Sequence, residues 1–166
     1  VLAAALILLA TPAQAGPSGA QFLIDNDYLN FWVPPEERDD VGYTNGFELQ
    51  LVFEGSPGWL RALAPQRLEG SEGDFPARTV ASLRQEIYVP WTATGDRPFA
   101  GWLELGLGLR RETDDRLREG RLRIGVTGPP SLAEDTYNWF HETFGFEPRT
   151  GWEDQLPAEP GFRIDY

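Results

Sequence analysis

The feature that most limits the fold of this chain is a strict alternation of apolar and polar side chains. Within residues 46–54, Phe and Leu at every second position are separated by Glu48, Gln50, Val52 and Glu54. The same alternation recurs within residues 103–110 and 121–127. A period of two is that of a β-strand, whose successive side chains point to opposite faces. The chain is therefore predicted to be all-β, with weaker strands over residues 21–31 and 80–90.

The composition of the two strand faces suggests where each face lies. One face carries Leu, Ile, Val and Phe, and the opposite face carries Glu, Gln and Arg. This pattern suits an antiparallel outer-membrane β-barrel with lipid outside and a polar lumen inside. A soluble β-sandwich also has alternating strands, so the periodicity alone leaves both architectures open. A barrel needs about eight strands or more to avoid open edges in lipid, so we expect further strands after Tyr166 if the barrel is correct.

The front of the chain resembles a secretory signal. Val1 to Ala10 form an uncharged apolar run, and Ala13-Gln14-Ala15 has the small-residue pattern of a cleavage site. The run is about half as long as a membrane-spanning helix requires. We therefore expect residues 1–15 to be part of a signal peptide, starting inside it, and residues 16–166 to form the N-terminal part of one barrel domain.

Composition excludes several classes of function. The chain has no cysteine, which rules out disulfides and thiolate metal sites. Its 14 basic residues, all arginine, are outnumbered by 26 acidic ones, which gives a net charge of −12. Nucleic-acid binding needs a basic surface, so no nucleic-acid partner is expected. Divalent cations are more plausible partners for so acidic a chain.

Residues 131–144 differ from the rest of the chain. Five residues within them are spaced to share one helical face: Leu132, Tyr137, Phe140, His141 and Phe144. Ser131 is predicted to cap this helix, with Glu134 three residues later. A lone helix in an all-β pattern usually belongs to a loop, so we predict one extracellular-loop helix.

Polar clusters give candidate functional residues with competing explanations. His141 is the only histidine and could move protons near neutral pH, although a purely structural histidine is equally compatible with its sequence surroundings. Asp25, Asn26 and Asp27 carry oxygen atoms of the kind that bind calcium. The alternative is that they form a turn at the end of a strand. Thr44 precedes an Asn-Gly turn pair and carries no functional prediction on its own.

The order of the short motifs resembles the LpxR family of lipid A 3′-O-deacylases. The resemblance covers residues 22–166. The matching segments are Asn26-Asp27, Tyr43 to Gly46, Gln85 to Pro90, Gly95 to Trp102, Gly125 to Pro129, the helix holding His141, and Gly151 to Leu156 followed by Glu159.

This resemblance implies an outer-membrane barrel of about twelve strands, of which about six would lie in this chain. The active site would lie between the wall and a loop helix. The enzyme would hydrolyse the ester that holds the 3′-acyloxyacyl group of lipid A, the lipid portion of lipopolysaccharide, and would require Ca²⁺. The implied catalytic residues are Asn26, Asp27, Thr44, His141 and Glu147, and the implied metal ligands are Asp27, Glu147 and Thr44.

The chemistry of these residues suggests a mechanism. His141 would deprotonate water, while a bound calcium ion would polarise the ester carbonyl. A serine nucleophile is the alternative mechanism, although the chain has no G-x-S-x-G elbow. The alternative function is a non-catalytic barrel, porin-like or structural. The enzymatic hypothesis requires the five residues to converge at the outer rim of the barrel.

Overall fold

The computed structural model describes residues 16–26, 43–63, 77–90, 97–112 and 117–166. These residues form one antiparallel sheet in which each strand pairs with its neighbour in sequence. The all-β prediction is confirmed, and the sheet is not closed within the described residues. The strands are Gly19–Asn26 (β1), Tyr43–Phe53 (β2), Arg78–Tyr88 (β3), Ala100–Glu112 (β4), Leu117–Thr127 (β5) and Pro160–Asp165 (β6).

Two predictions fall partly or wholly outside these residues. The signal peptide, residues 1–15, lies outside them. The first predicted strand, residues 21–31, corresponds to β1, and the part beyond Asn26 is outside the described residues. β6 was not predicted as a separate strand, because Pro160 and Gly161 weaken the strand pattern at its start.

One end of the sheet carries a helix and those candidate site residues that the structure describes. β1, β3 and β5 end there, and the β5–β6 connection contains α2, Ala133–Phe144. We call this end the helix end. At the opposite end a short helix, Gly58–Leu63 (α1), lies in the β2–β3 connection. Neither helix has the length and apolar character needed to cross a membrane.

The register gives the sheet two chemically different faces. Glu48 pairs with Arg84, and Arg84 pairs with Glu104, so charged side chains from three strands share one face, here called the inner face. Glu104 on this face is only 1% exposed. The opposite, outer face exposes apolar side chains, with Phe162 at 74%. Its other exposed members include Phe22, Ile24, Leu49, Leu122, Ile124 and Ile164.

This distribution is the inverse of that in a water-soluble sheet. A β-sandwich would cover its apolar face with a second sheet, and the part of the chain that the structure describes contains one sheet only. Exposed aliphatic strands backed by buried charges are what a barrel wall between lipid and a polar lumen requires. The predicted orientation, with lipid outside and a polar lumen inside, agrees with this arrangement.

The buried charges of the inner face are paired across strands. Arg121 bonds Glu48 on β2 at 2.5 Å and also contacts Glu119. Glu104 accepts hydrogen bonds from Arg123 Nη1 at 2.9 Å and from Arg163 Nη2 at 2.8 Å. These bonds connect β2 to β5 and β4 to both β5 and β6. Pairing is required because an unpaired charge is costly to bury.

Trp102 fills the inner face near the helix end. Its indole Nε1 donates a hydrogen bond to Glu104 at 2.7 Å. Its six-membered ring lies over two glycines on the neighbouring strands, since a Cβ added at Gly125 or Gly161 would fall 2.5 Å or 2.8 Å from ring carbons. Glycine is thus needed at both positions to admit the indole.

Candidate functional site

Helix α2 is fixed to the outer face of the wall. A 3-10 turn, Pro129–Ser131, precedes it and contacts β4 and β5. Gln85 Nε2 on β3 donates a hydrogen bond to the carbonyl oxygen of Ser131 at 2.6 Å. On β4, Gly101 leaves no room for a Cβ, because Ser131 and Ala133 occupy that space. The start of α2 is therefore seated directly on the barrel wall.

The predicted cap of this helix is wrong. Leu132, in a left-handed conformation (φ 58°), is the N-cap residue, and no side chain bonds the first turn. Ser131 belongs to the preceding 3-10 turn, where its hydroxyl donates to the carbonyl oxygen of Gly128 at 2.6 Å. Two prolines begin this turn and fix its backbone, so that Ser131 ends the turn. The α-helix therefore begins after Leu132, one residue later than the capping pattern predicted.

Replacing Gly101 with valine should detach the start of α2 from the wall. The added side chain overlaps Ser131 and Ala133, so the β5–β6 connection must move while the strand pairing is kept. We expect limited proteolysis to cut within residues 128–159 severalfold faster in the folded barrel. Gly58→Ala, where a Cβ meets nothing within 4 Å, is the matched control. Unchanged cleavage in Gly101→Val would contradict the close seating described here.

A small aromatic core connects the wall to His141. Ile87 on β3, Phe99 and Trp152 form part of one buried cluster that includes Tyr137 of α2. The rings of Tyr137 and Trp152 have centroids 5.7 Å apart. The His141 ring lies one turn beyond Tyr137, with centroids 4.0 Å apart. The imidazole therefore rests on a buried side chain rather than extending freely into solvent.

The end of α2 orients the same imidazole. Gly145 ends the helix in a left-handed conformation (φ 75°), and the N–H of Phe146 donates to the carbonyl oxygen of His141 at 2.9 Å. This turn brings the backbone carbonyl of Glu147 to 2.9 Å from His141 Nδ1. In neutral histidine a proton on Nδ1 donated to that carbonyl leaves the lone pair on Nε2. The geometry therefore presents Nε2 as the basic atom.

The structure brings some of the predicted site residues together. Glu147 contacts His141 through its backbone, and its side chain is exposed. Asn26 ends β1 and pairs with Asn45 of β2, next to the half-buried Thr44, where the β2–β3 register is irregular. Asp27 lies outside the described residues. Asn26 and Thr44 thus share the helix end with α2, and the convergence of all five residues stays a prediction.

The donor chemistry of the predicted metal ligands suits calcium. Glu147 and Asp27 would supply carboxylate oxygens and Thr44 a hydroxyl oxygen, and calcium prefers such oxygen ligands. Within the described ranges no group of three His, Asp or Glu side chains is placed to hold a metal. Since Asp27 lies outside those ranges, the calcium site also stays a prediction.

Of the residues that hold His141 in place, the sequence pattern placed only Tyr137 beside it. Tyr137 and Phe146 contact the imidazole, Gly145 ends its helix, and Trp152 acts indirectly by packing against Tyr137. The position of Tyr137 follows from its spacing, since it precedes His141 by one helical turn. The role of Trp152 depends on tertiary packing, which spacing does not reveal.

Comparisons with known proteins give one family and one similar fold. A family model described as outer membrane protein LpxR matches residues 1–166. The solved structure of LpxR from Salmonella typhimurium is similar with a TM-score of 0.62 and 22% sequence identity, covering 87% of this chain and 48% of that chain. This chain thus spans about half the length of that structure. No curated protein sequence matches it.

Proposed function

The chain belongs to the LpxR family of outer membrane proteins, and on that premise we propose that its complete protein is a calcium-dependent lipid A 3′-O-deacylase. The observation that supports this most is the orientation of His141, whose Nδ1 lies 2.9 Å from the carbonyl oxygen of Glu147. A histidine held in this way is suited to act as a general base through Nε2. The site residues proposed with it are Asn26, Asp27, Thr44 and Glu147.

The position of the site supports a membrane lipid as substrate. α2 is seated on the outer face, beside Ile87 and Gly101, and this face is the one that meets lipid in an outer-membrane barrel. A lipid in the outer leaflet could then reach His141 without passing through the polar lumen. The substrate proposed is therefore lipid A, the lipid portion of lipopolysaccharide.

The proposed reaction is ester hydrolysis by an activated water. His141 Nε2 accepts a proton from water while the water oxygen bonds to the carbonyl carbon of the ester. The bond from that carbon to the 3′ oxygen of the sugar then breaks, and the imidazolium returns the proton to the departing oxygen. The products are the free 3′ hydroxyl and the released acyloxyacyl acid.

The remaining site residues would bind calcium and orient the substrate or the water. Asp27, Glu147 and Thr44 would hold calcium, which when bound supplies positive charge for the developing oxyanion. Asn26, which ends β1 beside Asn45, would orient the substrate or water. The chain has no lysine, so a bound cation would supply the positive charge that a lysine could otherwise supply.

Calcium removal should test the proposed function in the membrane. The complete protein, placed in an outer membrane carrying hexa-acylated lipid A, is expected to remove one 3′-linked acyloxyacyl unit, seen by mass spectrometry of extracted lipid. Chelation of calcium should abolish this change, and added calcium, but not added magnesium, should restore it because calcium accepts more irregular oxygen coordination.

Two outcomes would contradict this proposal. An unchanged lipid spectrum from a correctly folded barrel would favour the non-catalytic alternative, porin-like or structural. Deacylation that continues without calcium would remove the metal from the mechanism and leave the family's hydrolase assignment standing.

A further inference from the structure

Two arginines lie side by side on the lipid-facing wall, at the end of the sheet away from α2. Arg111 on β4 pairs with Arg118 on β5. Both side chains belong to the outer face, since the strand alternation places Arg111 with Leu109 and Arg118 with Leu122. By the same register they are the only charged residues on the outer face of the six described strands. We call them the arginine pair.

The inner face treats its arginines differently. Arg110 contacts Glu119 there at 2.7 Å, and the other inner-face arginines of the strands also form ion pairs with carboxylates. The outer face of the described strands carries no acidic residue that could serve the arginine pair in this way. Like charges directly opposite each other on two strands repel. An anion that bridges both guanidinium groups would remove this repulsion.

The height of the arginine pair on the wall corresponds to a membrane surface. Gly101, on which the start of α2 is seated, and Arg111 are ten positions apart on β4. At about 3.3 Å per residue and a strand tilt of about 40°, this separation is about 25 Å along the membrane normal. The apolar band of an outer-membrane barrel has about the same height. The arginine pair therefore lies at the headgroup level of the leaflet opposite α2.

This leaflet is the periplasmic one. The connection that adjoins the arginine pair, residues 113–116, is the short one between β4 and β5, and short connections of such barrels face the periplasm. Lipids of the periplasmic leaflet are glycerophospholipids, which carry a phosphate at the headgroup level. At the same end, α1 contacts β4 and presents the exposed Arg61. The neighbour whose charge and position fit the arginine pair is therefore a phospholipid phosphate.

We propose that the arginine pair binds the phosphate of one glycerophospholipid in the periplasmic leaflet. A guanidinium group presents two parallel N–H donors that match two phosphate oxygens. The acyl chains of this lipid would lie along the apolar strand surface next to the pair, which includes Leu107 and Leu122. The site is at the opposite end of the wall from the proposed catalytic residues and does not depend on the proposed function.

Native mass spectrometry of the complete barrel in maltoside micelles tests the proposal without hydrolysis. The maltoside carries no phosphate, so a bound phosphate comes only from added lipid. We expect the wild type to retain one added phosphatidylglycerol, and Arg111→Gln combined with Arg118→Gln to retain severalfold less. Diacylglycerol with the same acyl chains should not be retained. Lysine at both positions should give an intermediate result, because lysine keeps the charge but not the paired donors.

The matched control is Arg149→Gln. Arg149 is exposed at the helix end, where it donates to the carbonyl oxygen of Pro90 at 2.7 Å. Its replacement should leave the retention of phosphatidylglycerol unchanged. Heat-modified migration on gels confirms that each variant folds.

Three results would overturn the proposal. Equal retention by the wild type and the folded double glutamine variant would mean that the arginine pair is neutralised within the protein. Equal retention of diacylglycerol and phosphatidylglycerol would mean that the acyl chains alone account for binding. Displacement of phosphatidylglycerol from the wild type by inorganic phosphate would make the pair a general anion site rather than a lipid site.

Discussion

Replacing His141 with alanine is expected to lower the rate of ester hydrolysis by about 10²–10⁴-fold, the usual contribution of a general base. The loss should fall on kcat rather than KM, because the imidazole acts on water and makes little contact with the rest of the lipid. The rate is measured on lipid A dispersed with the refolded complete protein. Free imidazole added to the variant should restore part of the rate.

The matched control for this experiment is Glu142→Ala. Glu142 is the next residue on α2, is exposed, and by helical spacing lies opposite Ala133, on the side away from the wall. Its replacement should leave the rate within about twofold of wild type, as expected for a surface substitution away from specific contacts. A His141→Ala enzyme that retained full activity would rule out this base, whatever the reaction proved to be.

Replacing Glu104 with alanine is expected to give the largest loss of stability, about 3–5 kcal/mol, because it removes the buried carboxylate that Arg123 and Arg163 share. Glu104 accepts hydrogen bonds from Trp102, Arg123 and Arg163. Arg123 and Arg163 face each other across β5 and β6, so without this carboxylate two like charges remain side by side, balanced only by Asp165 and by Glu86 at 3.6 Å. Urea titration of the complete barrel in short-chain lipid vesicles measures the free energy of unfolding.

Two further variants give the scale for this loss. Glu104→Gln keeps the shape and an acceptor oxygen, and should lose less than the alanine variant. Glu54→Ala breaks an exposed ion pair with Arg78 at 3.1 Å, and should cost less than about 1 kcal/mol. Equal losses at Glu54 and Glu104 would mean that the inner-face charges are solvated rather than buried.

The sequence was sufficient to predict the sheet because its signal is local. In residues 46–54, 103–110 and 121–127 the alternation has to match the two faces of a strand, since a shift by one residue would exchange lipid-facing and lumen-facing side chains. β6 was missed because Pro160 and Gly161 interrupt that signal. The faces themselves were also predictable, because within these three segments no leucine lies on the same face as an arginine.

The candidate site was less accessible to the same reasoning. His141 could be selected because the chain has one histidine, and its helix could be predicted from spacing. Its orientation depends on the left-handed turn at Gly145 and on packing against Tyr137, which follow from tertiary structure. The capping prediction at Ser131 failed because a 3-10 turn took up that serine, an outcome that the short cap motif does not encode.

The indole of Trp102 has a consequence for the geometry of the whole wall. It fits over Gly125 and Gly161, and a slip of two residues between β4 and β5 would bring Arg123 or Thr127 beneath the ring instead of a glycine. The tryptophan therefore locks the stagger between three adjacent strands. In a closed barrel, stagger and strand number together fix the tilt of the strands and the width of the cylinder. One side chain in the lumen thereby helps to determine the tilt of the strands that support the helix carrying His141.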